Sequence, residues 1–323
     1  MSSKVLIITN KNDVTSDFIV RELSRQKVPF YRLNTEEIGI SVFLTFDFSI
    51  SEYSLYDIHQ KSKINLSTFT SVYYRRPKVR SNEDPTLTDN EREFLLSENY
   101  QTLEGLYKIL EDKFWINPVY AIRNTENKIY QQIVAKKLGL KIVDGIVTNE
   151  EDSFRKFINR RDKHKFIVKA IRSGQIGITN YDSIVYTSEL KSIPSDEEIK
   201  NCPTYLQIKE DKICDIRVTV VGDNIFPIAI DSQKKISSQT DWRKGQEFLN
   251  FKEIDLPTTV NEKCLEITKY FGLYYSAIDF VLNKNNDYIF LEINSNGQWA
   301  WVENRTSYRI SQEMVKLLTT WEI

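Results

Sequence analysis

Two apolar stretches near the C-terminus, "YYSAIDFVL" (274–282) and "DYIFLEIN" (287–294), constrain the fold more than any other part of the chain. Both are rich in aromatic and aliphatic residues that suit a covered, pleated surface. The turn-rich run Asn283-Lys284-Asn285-Asn286-Asp287 joins them, so they read as one hairpin. Side chains alternate across a strand, which sends Glu292 and Asn294 to one face. A carboxylate and an amide inside an apolar strand cost free energy unless a hydrogen-bond network or a metal ion satisfies them. Hairpin pairing brings Asp279 alongside. Two carboxylates and an amide oxygen are hard ligands, suited to Mg²⁺ rather than to a soft metal. Because magnesium takes few protein ligands and fills its other positions with water and phosphate, the trio points to a bound nucleotide.

A chain of 323 residues can bury the core of two or three compact units. Its formal net charge of −1 argues against nucleic acid or an anionic membrane as partner. No apolar run approaches the roughly 20 residues that span a bilayer, and "MSSKVLIITN" begins a strand rather than a charged leader, so a cytoplasmic location is expected. Cys202, Cys214 and Cys264 are odd in number and lack CxxC spacing, which suggests reduced thiols. Only His59 and His164 are available as histidines, too few for a His-rich metal site. Carboxylates, lysines and arginines must carry any catalysis.

"KVLIITN", "SDFIVRELSRQ" and "VPFYRLN" read as strand, helix, strand, the βαβ opening of a parallel sheet. "ISVFLTFDFSI" (40–50) and "FTSVYYRRP" (69–77) are expected to continue its strands. A helix over roughly 88–112 follows, with Phe94, Leu95, Leu103, Leu106 and Leu110 as its apolar side. Pro118 suggests a first boundary, giving an N-terminal α/β domain at 1–117. A central α+β domain at 118–200 starts with a helix over 124–140, capped by Asn124 or Thr125 and closed by Gly139. The remainder, 201–323, reads as a C-terminal antiparallel-sheet domain. It holds the hairpin "DIRVTVVGDNIFPIAI" with a Gly222-Asp223-Asn224 turn, a helix at 258–271, the hairpin described above and a last helix at 306–319.

Lys128 lies in the first turn of its helix, and Lys169 ends "FIVK" just before a loop with Gly174 and Gly177. Either lysine can reach phosphates that backbone N–H groups also approach. No GxxxxGK[ST] or GxGxxG motif occurs, so neither a P-loop nor a dinucleotide-binding fingerprint explains nucleotide binding. Asp215, Arg217 and Thr219 form a polar row along one strand face.

In their order, Lys128, Lys169, "LQIKE", "DIRVTVVG", Asp279 and Glu292-Ile293-Asn294 resemble the ATP-grasp fold, here an α/β and α+β chain with a pre-ATP-grasp domain in front. The resemblance implies that Lys128 and Lys169 hold ATP phosphates. It implies also that the backbone of Gln207, Ile208 and Lys209 meets adenine, that Asp215 lies near the ribose, and that Asp279, Glu292 and Asn294 bind Mg²⁺. "LEINSNGQWAWVE", "TDWR" (240–243) and "VYYRRP" (72–77) are similar to the microviridin-type ligases that close rings in graspetide precursors. Such enzymes activate Asp or Glu side chains of a ribosomal peptide and join them to Ser/Thr hydroxyls or Lys amines. The α-L-glutamate ligases share parts of the pattern, but they place an arginine after the second hairpin strand where this chain has Asp231 and Ser232.

On this resemblance Arg243 and Arg217 are the catalytic cations, while Arg75, Arg76 and Trp242 contact the peptide core. The charged run "FRKFINRRDKHKF" (154–166) reads first as a solvated helix face, and its place in the central unit makes it also a candidate docking surface for a precursor's leader. Trp299 and Trp301 alternate, so at least one should face the core. The expected partner is a precursor with a leader and a Thr/Asp/Glu-rich core and the expected bond an ester; ligases of this branch are often homodimers, but no stretch of the sequence fixes the oligomeric state. Addition of free amino acids to a protein tail or small carboxylate, and nucleotide binding without turnover, are the competing readings.

Overall fold

The computed structural model describes residues 3–80, 84–161, 163–171, 175–176, 183–184, 186–235, 238–244 and 249–320. The glycine loop expected at Gly174 and Gly177 lies outside them. Two compact units are present.

The first unit joins Met1–Ile122, Gly272–Tyr275 and Gln298–Ile323. Its parallel sheet runs in the order Phe30–Asn34, Val5–Thr9, Ser71–Tyr74, Phe114–Ile116. Val5–Thr9 is buried along its whole length, as a strand covered on both faces must be. "ISVFLTFDFSI" does not extend this sheet. Val42–Asp47 pairs antiparallel with Glu52–Asp57, which pairs with Ser62–Asn65, in a separate three-stranded sheet. Val42 is buried while Phe43 is exposed, the alternation of a strand with one wet face rather than the continuous burial of a parallel strand.

The helix Asp89–Ile109 starts at a capping box between Thr88 and Glu91. Only its C-terminal half packs: Leu103, Leu106 and Tyr107 are buried, whereas Phe94 is 63% exposed. Distant segments complete the unit. Trp299 sits edge-on against Phe18 at 5.8 Å, and Ser71 Oγ donates to the carbonyl of Leu318 at 2.7 Å. The two tryptophans flank the start of the helix Ala300–Arg305 rather than alternating along a strand; Trp299 is fully buried and Trp301 only half so. The last helix runs Ile310–Thr320.

The second unit comprises Arg123–Phe271 and Ser276–Gly297. One sheet has the order Ser188–Glu189, Phe166–Lys169, Thr204–Ile208, Gly145–Thr148, with antiparallel pairing throughout. Phe154, Phe157 and Ile158 of the helix Glu151–Asn159 pack with Leu206 and Phe166 of that sheet. A six-stranded sheet has the order Phe251–Glu253, Asn224–Ile230, Lys212–Val221, Tyr275–Asn283, Tyr288–Asn294, Lys141–Ile142. Both expected hairpins are present. Gly222 takes φ +57°, as its tight turn demands, and Asn283 Oδ1 accepts the N–H groups of Asn285 and Asp287.

Candidate active site

Strand register makes the centre of the site. Asp279 stands opposite Glu292, and Ala277 opposite Asn294, with a bulge just after Asp279. Lys141–Ile142 pairs only with Ile289 and Phe290, and beyond it the outer side of Tyr288–Asn294 is tied by side-chain amides of the helix Lys128–Lys137. Gln131 Nε2 donates to the carbonyl of Ile293 at 2.9 Å, the N–H of Ile293 donates to Gln131 Oε1 at 3.1 Å, and Gln132 Nε2 donates to the carbonyl of Leu291 at 2.8 Å. These bonds satisfy an edge that would otherwise be open. They also fix the helix start, where Lys128 Nζ lies 3.0 Å from Glu292 Oε2. The cap of this helix is Asn127, whose side chain accepts from Tyr130 N–H; Asn124 and Thr125 belong instead to the preceding helix Val119–Thr125.

Burial opposes ionisation of Glu292, but Lys128 and Lys169 outweigh it and hold its carboxyl well below the usual range. Asp279 behaves in the opposite way. Burial, reinforced by the Glu292 charge and resisted by Arg217 and Arg243, raises it to about 6. Burial likewise lowers Lys169. Arg217 Nε is 2.9 Å from Asp279 Oδ1 but off the hydrogen-bond axis, so the pair interacts as charges. Arg217 fits there because Gly297 has no side chain: a Cβ would lie 3.2 Å from Arg217 Nη1 and 2.5 Å from Ala277 Cβ.

Asn294 Nδ2 donates to Asp279 Oδ2 and to Glu292 Oε1, both at 3.2 Å. Turned over, the same amide presents an oxygen to the space between the carboxylates, which suits a hard cation. No group of three or more His, Cys, Asp or Glu side chains is arranged around a metal position among the described residues. A cation here would rest on two carboxylates and an amide, the sparse donor set magnesium accepts. Gln207 Oε1 is buried without a partner among the described residues, the kind of vacancy a nucleobase amino group fills.

Several expected residues do other work. The N–H groups of Ile208 and Lys209 donate to the carbonyls of Asp144 and Lys165, so sheet pairing consumes donors that were expected to meet adenine. Asp215 is enclosed and accepts from Lys212 Nζ at 2.9 and 2.7 Å, rather than waiting free for a ribose. Trp242 is buried, with the Arg217 guanidinium 5.6 Å above its ring, so it backs Arg217 and does not line a groove. Arg75 is nearly inaccessible and ion-paired to Asp13 at 3.0 Å, which removes it as a surface anchor. Arg76 is exposed, with φ +46°, and its carbonyl accepts from Asn10 Nδ2 at 2.7 Å. In the run at 154–166, Arg155 and Arg161 pair with Asp196 and Asp144 on the outer surface.

Sequence reasoning missed Gln131, Gln132 and Gly297. It also passed over Asp241, although that residue stood inside the quoted "TDWR". Its enclosed carboxylate takes Arg243 Nε at 2.8 Å and Nη2 at 2.6 Å.

A family model described as a RimK-like ATP-grasp domain matches residues 125–318. The chain belongs to that ATP-grasp family. Residues 4–123 match a second model, described as an MvdD pre-ATP grasp domain, so the expected fold is borne out for both parts. Among solved structures, the RiPP-associated ATP-grasp ligase of Chryseobacterium gregarium, in complex with ADP and a leader and core peptide, is similar with a TM-score of 0.86. Its identity is 26%, over 98% of this chain and 96% of that one. The macrocyclase MdnC of Microcystis aeruginosa MRC, bound with precursor peptide MdnA, gives 0.83 and 26%, over 98% and 99% of the two chains. Macrocyclase MdnB of the same organism gives 0.82 and 25%, over 99% and 100%. No curated protein matches the sequence. This ATP-grasp ligase thus bears out the resemblance drawn from its C-terminal motifs. No helix among the described residues is long and apolar enough to cross a membrane.

Proposed function

We propose that the chain uses ATP and Mg²⁺ to close rings in a ribosomally made precursor peptide, joining Asp or Glu side chains to Ser/Thr hydroxyls as ω-esters, or to Lys amines as ω-amides. The observation that carries the reading is the convergence of Lys128, Lys169 and Arg217 on the Asp279–Glu292 pair, in a chain similar over its full length to peptide macrocyclases.

Asp279, Glu292 and Asn294 would hold magnesium, which when bound neutralises charge on the phosphates and helps orient them. Lys128 and Lys169 grip the same phosphates, and Gln207 Oε1 accepts from the adenine amino group. A peptide carboxylate oxygen attacks the γ-phosphorus, the bond to the β,γ-bridging oxygen breaks, and ADP leaves. Arg243 and Arg217 hold the incoming carboxylate and then the acyl phosphate. A hydroxyl or amine of the same peptide attacks the acyl carbon and the carbon–oxygen bond to phosphate breaks. Phosphate departs, and the nucleophile's proton passes to solvent. Both reactants sit in one tethered chain, so positioning supplies most of the acceleration. The peptide carries a leader and a Thr/Asp/Glu-rich core. The charged outer face at 154–166 receives the leader, and the ligase acts in the cytoplasm as a homodimer.

Mass spectrometry of a short Thr-, Asp- and Glu-rich peptide encoded beside this chain, incubated with the ligase, ATP and Mg²⁺, tests the reading. Loss of one water per modification is the expected result. A gain equal to an added amino acid would move the assignment to tail-adding ligases, and an unmodified peptide would overturn this choice of substrate.

A further inference from the structure

The residues Asp241-Trp242-Arg243 divide their labour. Trp242 lies beneath Arg217, which reaches Asp279. Asp241 acts on its neighbour but one. Its Oδ1 accepts Arg243 Nε at 2.8 Å and the Arg243 backbone N–H at 3.2 Å, while its Oδ2 accepts Nη2 at 2.6 Å. The N–H of Thr187 approaches the same Oδ2 at 3.4 Å. The acid is sunk, with its side chain 4% exposed, while the base protrudes at 46%. Arg243 also stands near the Tyr186 ring, at 5.9 Å.

This asymmetry has a chemical consequence. A guanidinium has five N–H donors in a rigid fork. Asp241 takes the Nε edge, which leaves the Nη1 side turned away from the acid and able to meet a planar carboxylate or an acyl phosphate. The Arg243 charge lies in the field of Glu292 and Asp279, to which a loose arginine would be drawn. A buried carboxylate gripping it by two oxygens resists that collapse. Asp241 offsets part of the Arg243 charge, which still acts on Lys169 as a like charge.

We infer that Asp241 is a positioning residue, whose buried carboxylate aims the Arg243 fork at the peptide carboxylate and keeps it off the acids of the phosphate site. The inference rests on the ring-forming reading for its substrate, but its geometry can be tested without one.

The first arm is the ¹H–¹⁵N spectrum of the nucleotide-free full chain, in which the Arg243 Nε–H signal is assigned by its loss in Arg243→Gln. Asp241→Asn should shift this signal and speed its exchange with water at least tenfold, whereas an unmoved signal would overturn the inference. The second arm is peptide-dependent ADP release with the peptide that passes the mass-spectrometric test. Asp241→Asn should lower kcat on the order of 10²-fold, the scale of a misplaced catalytic group, with the KM for ATP unchanged within a factor of two. Asp241→Glu, which retains the carboxylate, should recover at least a tenth of the lost rate and slow the Nε–H exchange again. Equal loss in both variants, or a parallel rise in the KM for ATP, would reduce Asp241 to a structural residue and overturn the proposal. If wild type closes no ring while the Nε–H signal responds as expected, the substrate reading falls and the positioning of Arg243 stands.

Discussion

The polar cluster around Asp13 in the first unit and the one around Glu292 in the second are both largely shut away from water, yet they solve that problem differently. Asp13 accepts from Ser16 Oγ at 2.6 Å, from Thr9 Oγ1 at 3.3 Å and from Arg75 Nε at 3.2 Å. One acid meets one base, and hydroxyls satisfy what is left. Around Glu292, two carboxylates face Lys128, Lys169 and Arg217, a surplus of positive charge. The two acids are also driven apart, Asp279 upward and Glu292 downward. Buried charge alone therefore does not mark a site. An unbalanced set, with like groups pushed in opposite directions, does.

Four experiments would break or sharpen that contrast. The largest effect is expected from Glu292→Gln, which removes the acid between two lysines. Peptide-dependent ADP release should fall on the order of 10³-fold, the upper range for loss of a preorganised electrostatic group, and retention of more than a tenth of the rate would refute the role given to Glu292. Asp13→Ala should act on stability instead. It leaves Arg75 buried without that carboxylate, so unfolding in urea should lose about 3–5 kcal/mol, while kcat of the protein still folded stays near wild type.

A third test uses pH. In metal-free protein Asp279 has a folded pKa raised to about 6 from 3.8, so its contribution to stability is complete below about pH 4 and is lost as pH rises through 6. Thermal melts in the presence of a chelator should show that decline, and Asp279→Asn should remove it; a rise through the same interval in wild type, abolished by the same substitution, would contradict the direction. The smallest effect belongs to Phe94→Ser on the exposed half of its helix, which should change stability by no more than about 0.5 kcal/mol. A larger loss by calorimetry would mean that something covers this face.

How far the sequence could be read follows from which forces act locally. Both C-terminal hairpins were legible because period-two patterns and Asn/Gly turns are short-range signals. The same logic placed Asp279, Glu292 and Asn294 together, since register fixes which side chains meet. The three-stranded sheet was misassigned because Val42–Asp47 has the composition of a buried strand, and only its alternating exposure separates it from one. The role of Lys212 was invisible because it depends on Asp215 turning to a neighbour three residues away rather than to a ligand. Gln131 and Gln132 substitute for a missing strand across about 160 residues of sequence, a pairing no local pattern announces.

The return of Gln298–Ile323 to the first unit has a consequence for biosynthesis. Trp299 against Phe18, and Leu318 receiving the Ser71 hydroxyl, are contacts that become available only after the second unit has been made. Translation proceeds at about 5–20 residues per second, so the N-terminal sheet waits on the order of ten seconds for its final helix. During that interval the second unit, with Lys128 and Lys169, emerges whole. The opening sheet is thus completed only after the second unit has been made, and a nascent chain would possess its Asp279–Glu292 cluster before its first unit had closed.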